Sequence, residues 1–99
     1  MDEFTKEWLR AMDEAERLGC RMTRMRQTVS AHGGVETAKE YLRKNRYADG
    51  FDELAGQNRL DLSMEALVTK GKFGALFTDD EVNRCFDRLC AAGHYVWRK

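Results

Sequence analysis

Cys85, Cys90 and His94 are the side chains of this sequence best suited to hold a soft metal. Zinc takes thiolate and imidazole ligands in tetrahedral sets. Residues five apart on one helix, however, project about 140° from each other, so Cys85 and Cys90 share no face and the spacing argues against a metal. A cysteine nucleophile needs a histidine and an orienting group. Here His32 or His94 would have to fold towards Cys20 or Cys85, and no nucleophile-elbow turn surrounds any of the three cysteines. Asp61 and Glu65 have the spacing of paired carboxylates, but Ser63 between them is a helix cap. They read as solvated charge at a helix start, where the dipole favours it, and Asp79, Asp80 and Glu81 read the same way. The stretch "TKGKFG" lacks the order of a phosphate loop and reads as a turn, whose Lys70 and Lys72 could meet an anionic partner. These residue types predict no catalytic residue, no metal and no cofactor.

Charge is the stronger signal. Seventeen Lys and Arg balance seventeen Asp and Glu, but residues 21–46 hold seven cations against two acids, and residues 47–81 hold three against eight. Arg21, Arg24, Arg26, Lys39, Arg43, Lys44 and Arg46 form a candidate basic interaction surface, able to contact phosphates with salt-dependent affinity. The alternative is that they solvate two short helices and complement their C-termini. Asp49, Asp52, Glu53 and Asp61 form a candidate acidic surface. A helix-turn-helix built from 35–44 and 49–57 would bring Asp49, Asp52 and Glu53 towards DNA phosphates, which is the wrong sign for a groove. Trp97 is a candidate aromatic anchor if exposed, and core if buried.

The elements that must carry these residues are helical. Phe4, Trp8, Met12, Ala15 and Leu18 recur at steps of four and three, one face of a 3.6-residue period, with Gly19 as C-terminal cap. Thr23 is placed to cap a second helix that turns Met25 and Val29 inward and ends at His32. A third helix, "VETAKEYLRK", buries Val35, Ala38, Tyr41 and Leu42 and pairs Glu40 with Lys44. Asp49 is expected to cap a short helix bearing Phe51 and Leu54, closed by Gly56 to Asn58. In "NRLDLSMEALV", Ser63 caps the next helix, with Leu62 and Leu67 as a hydrophobic staple. "FTDDEV" repeats that device, with Thr78 and Glu81 at capping-box spacing and Phe77 stapled to Val82. The last helix is expected to turn Val82, Cys85, Phe86 and Leu89 inward.

The 99 residues, with no proline and no Gly/Ser linker tract, predict a single all-α domain: a compact irregular array of five to six short helices. Residues 1–20 form its N-terminal amphipathic helix, 21–93 its helical body and 94–99 a tail. No apolar run approaches the roughly 20 residues needed to cross a bilayer. The acidic start "MDEFTKEWLRAMDEAE" resembles neither a secretory nor a transit segment, and three cysteines at no disulfide-framework spacing suit a reducing compartment. A cytoplasmic location is expected.

From Gly33 to Leu89, "GGVETAKEYL", "GFDEL", "RLDLSMEALV" and "LFTDDEV" in that order resemble a small helical domain of uncharacterised bacterial and phage proteins. The resemblance carries no known activity and transfers no site residues. It implies a bacterial or phage setting, in which short chains of this kind act as inhibitors, antitoxins or adaptors. The expected function is non-enzymatic: stoichiometric protein–protein binding to a bacterial protein such as a nuclease or nucleoprotein complex. Nucleic-acid binding through residues 21–46 is the alternative.

Overall fold

The computed structural model describes residues 2–93, which fold into six α-helices and two 3-10 segments with no strand among them. The order is α1 (Glu3–Arg17), α2 (Thr23–His32), α3 (Gly34–Arg43), α4 (Phe51–Gly56), the 3-10 turn Leu60–Leu62, α5 (Met64–Val68), the 3-10 segment Gly71–Leu76 and α6 (Asp79–Ala91). One hydrophobic core joins them, running from Phe4, Trp8 and Met12 through Met25, Val29, Leu42 and Leu54 to Met64, Val68, Cys85 and Leu89.

Local chemistry accounts for most element ends. Asp2 caps α1 by accepting from the Thr5 amide at 2.8 Å and the Thr5 hydroxyl at 2.9 Å. At the other end Gly19 takes φ +94°, and the Cys20 amide returns to the Ala15 carbonyl at 3.0 Å, a Schellman closure. Asn45 (φ +55°) closes α3 the same way, with the Arg46 amide donating to the Tyr41 carbonyl at 2.8 Å. Asn58 (φ +58°) closes α4, with Arg59 returning to Leu54 at 2.8 Å. Ser63 caps α5, accepting from the Ala66 amide at 3.1 Å. Thr78 and Glu81 make the full capping box at the start of α6, with bonds of 2.8 and 3.2 Å.

Three expectations are corrected. The cap position of α2 is Met22, and Thr23 is already helical; Met22 is drawn into the core, where its methyl group comes up against Gly50. Asp49 does not cap α4. Gly50 stands there in the left-handed region at φ +86°, while Asp49 faces Arg24 at 3.9 Å. Phe86 is 40% exposed rather than inward, because the buried stripe of α6 is centred on Cys85 and Leu89 and takes in Arg88 instead. At 100° per residue, Phe86 lies about 100° to one side of Cys85 and Arg88 about 60° to the other.

α1 and α3 meet at a glycine. The Gly34 amide donates to the Thr5 hydroxyl at 2.8 Å, and a β-carbon at residue 34 would lie 2.9 Å from Thr5 Oγ1 and 3.0 Å from both Phe4 Cδ2 and the Thr5 α-carbon. Because backbone is among those neighbours, the helices must separate to admit a methyl group. Gly34→Ala is expected to cost about 1–3 kcal/mol, despite alanine's better helix propensity. A thermal midpoint equal to or above that of the parent would show that the contact yields freely.

Candidate functional site

The basic residues of 21–46 are largely engaged with this chain's own carboxylates. Arg26 reaches back to α1, bonding Asp13 and Glu16 at 2.7 Å each. Lys39 crosses to α6 and meets Glu81 at 2.9 Å, with its ammonium 5.2 Å from the Phe77 ring centre. Glu40 holds both Arg43 and Lys44, the latter at 2.9 Å, and these two cations hold its carboxyl below the ordinary range, Lys44 first. Arg24 faces Asp49, Arg46 lies 5.8 Å from the Tyr41 ring centre, and Arg21 is exposed between α1 and α2. The seven are thus distributed among contacts to α1, α6, the α3–α4 loop and α3 itself. Lys70 and Lys72 both pair with Glu7, whose carboxyl they lower, Lys72 first.

Tyr47 is the feature that composition did not mark. It stands in the loop that Asn45 directs out of α3, and half of its surface is exposed (50%). It is held on two sides: the Phe51 ring meets it edge-on at 4.8 Å between centres, and the Arg88 guanidinium carbon lies 4.3 Å from its ring centre. Open depressions flank it. One, of about 510 Å³, is lined by Asn45, Tyr47, Arg84 and Arg88. The other, of about 440 Å³, is lined by Tyr47, Ala48, Gly50, Phe51 and the two acids Asp52 and Glu53. Asp61, which pairs with Arg59 at 3.1 Å, lines neither.

Beneath Tyr47 lies a buried ion pair. Arg88 Nη1 donates to Glu65 Oε2 at 3.0 Å and to the Arg46 carbonyl at 2.9 Å. Glu65 is fully buried and Arg88 is 6% exposed, which corrects the expectation of a solvated Glu65 at a helix start. All five residues of α5 are buried, so a side chain at its second position has no route to water. Glu65 Oε1 and Arg88 Nη2 have no hydrogen-bond partner among the described residues. The sequence signal was there to find: Glu65 is the single polar residue in "MEALV", and a helix apolar all round is a buried one.

No protein-family model, curated protein or solved structure matches this chain. Its own chemistry carries the assignment. Cys85 is buried beside the Glu65–Arg88 pair, and burial, with the Glu65 charge adding to it, pushes its thiol up to about 12. A raised thiol disfavours the thiolate, which is the nucleophilic form. Cys20 is buried with its thiol also raised, by burial first. His32 shares an open groove of about 380 Å³ with Thr28, Glu36, Thr37, Glu40 and Tyr41, and neither cysteine lines it. Among the described residues, no three His, Cys, Asp or Glu side chains gather as a metal set, and no helix is long and apolar enough to cross a membrane. His94 and Trp97 lie outside the described residues.

Proposed function

We infer that this chain is a non-enzymatic binding module that associates stoichiometrically with another protein through the face centred on Tyr47. The observation that carries the reading is a half-exposed tyrosine immobilised by an aromatic edge and a guanidinium, between one depression lined by arginine and another lined in part by acid. Tyrosine and arginine dominate binding hot spots, and a side chain already held in place loses little entropy on association. Flanking charges of both signs suit a protein surface, which can present both, better than a uniformly anionic nucleic-acid backbone. The ion pairs of Arg24, Arg26, Lys39, Arg43 and Lys44 point the same way, because a cation must leave its own carboxylate before it neutralises a phosphate. Three free thiols, two of them buried, support a reducing compartment such as the cytoplasm. Inhibition or regulation of a bacterial defence system is one form such association takes, and it rests on the resemblance of residues 33–89 alone.

The test is recovery of partners on tagged protein, with nuclease treatment, for the parent chain and Tyr47→Ala. A protein retained through nuclease, at a fixed molar ratio, is expected to bind the variant at least about tenfold more weakly, the loss typical of an aromatic hot spot. The thermal midpoint should move little, since the ring is half in water. Equal recovery by both proteins would remove the Tyr47 face, and recovery abolished by nuclease would transfer the assignment to nucleic acid.

A further inference from the structure

We propose that the depression between the α3–α4 loop and α6 is an oxyanion-binding site, where Arg88, Arg84 and Asn45 receive the carboxylate or phosphate group of a partner's acidic segment. It adds to the interface reading the chemistry of what the partner presents, and it rests on that reading for the identity of the carrier.

The depression of about 510 Å³ is lined by two guanidiniums, a carboxamide and a phenol, with no carboxylate in its lining. Arg88 is more than nine-tenths buried, and its Nη2 has no partner among the described residues, while Nη1 of the same group is doubly engaged by Glu65 and Arg46. A buried guanidinium edge left unpaired costs free energy that an incoming oxyanion offsets. The Tyr47 ring lies over that guanidinium, its centre 4.3 Å from the central carbon, and lines the same depression. Arg84 is held in place by two bonds, from Nε to Asp80 at 3.1 Å and from Nη1 to the Leu42 carbonyl at 3.3 Å. Asn45 is fixed by the left-handed closure of α3.

The surrounding field has the required sign. Arg84 and Arg88 line the depression and Arg43, Lys44 and Arg46 lie at the α3 end of the loop; the carboxylates paired with the five are Glu40, shared by two, together with Asp80 and the buried Glu65. These five cations therefore outnumber the acids paired with them, and Lys70 and Lys72 share Glu7 elsewhere. Guanidinium recognises carboxylate and phosphate oxygens through directed, charge-assisted bonds, so either group suits the site.

The experiment is a titration of the full chain with inorganic phosphate, and separately with acetate, against chloride at constant ionic strength, followed by nitrogen–proton NMR. Saturable shifts are expected at the amides of residues 44–47 and at the Arg88 Nε–H, with a dissociation constant on the order of a few millimolar. Arg84→Gln and Asn45→Gly should each weaken binding about fivefold or more. The glycine suits the positive φ of residue 45, so that variant keeps the fold if Arg84→Gln does not. Tighter binding of phosphate would assign a phosphorylated partner segment, and tighter or equal binding of acetate an acidic one. Non-saturating shifts spread over all basic residues, or saturable shifts unchanged in both variants, would overturn the site. Failure here with loss of partner in Tyr47→Ala would leave the interface standing, and the converse would leave the site without it.

Discussion

Arg88→Met is expected to destabilise the protein by about 3–5 kcal/mol, because it strands the Glu65 carboxylate in the core. Glu65 has no exposed surface, and Arg88 Nη1 is its hydrogen-bonding partner at 3.0 Å. The same substitution frees the Arg46 carbonyl, bonded by Arg88 at 2.9 Å, and removes the cation beneath Tyr47. In a domain of this size the thermal midpoint should fall by roughly 12 °C or more. The double variant Glu65→Leu with Arg88→Met should recover most of that loss, since a buried pair is often replaced by apolar side chains at little net cost. A double variant no more stable than Arg88→Met would mean that the pair contributes attraction beyond compensating its own burial.

Glu65 also gives this effect a pH signature. Burial, opposed by its own nearby backbone amide and by Arg88, raises the carboxyl above its ordinary value of 4.5. The native protein therefore keeps this proton over an interval in which the unfolded chain has released it. That contribution to stability is fully present below the unfolded value and is lost as pH rises through the raised native value. Glu7 and Glu81 run the other way: cations and hydrogen bonds lower them, so their contribution is present above the ordinary value and is lost as pH falls through their native ones. Comparison with Glu65→Gln removes these opposing groups from the measurement. The parent's stability relative to the Gln variant should be greatest in acid and shrink as pH climbs above 4.5. A difference independent of pH would place Glu65 at the ordinary value.

Phe4→Ala is expected to cost about 3–5 kcal/mol, the range for emptying a buried aromatic site. Phe4 has no exposed surface, and three rings surround it, with centres at 5.9 Å for Trp8, 5.1 Å for Phe73 and 5.2 Å for Phe77. They come from α1, the Gly71–Leu76 segment and the residue leading into α6, so one side chain ties the N-terminal helix to the segment that enters α6. Urea unfolding should show a lower midpoint with an unchanged slope. A loss under about 1 kcal/mol would mean that the surrounding rings collapse into the vacated space.

The aromatic cluster was partly legible in advance. Phe4, Trp8, Met12 and Ala15 follow from periodicity, and Phe77 from its place before a capping box, whereas Phe73 sits in a stretch that reads only as a turn. The basic block was legible as composition and misleading as a surface. Arg26 and Glu16 are ten residues apart and Lys39 and Glu81 forty-two apart, and no sequence spacing announces such pairs. Tyr47 went unmarked because its neighbours, Phe51 and Arg88, belong to two different helices.

The sequence by itself determined the all-helical class, the inward faces of α1 and α3, the Ser63 cap and the Thr78–Glu81 box, because these depend on groups within about four residues and on a fixed helical period. Tertiary structure alone decided that Glu65 would be buried, that Arg88 rather than Phe86 would face the core, that Gly50 would displace Asp49 as a cap, and that Tyr47 would stand between arginine and acid. Those outcomes depend on which helices meet. Glu65 and Arg88 are twenty-three residues apart, and the free energy of a charged side chain there is set by whether the opposing helix brings its counter-charge or leaves it to water.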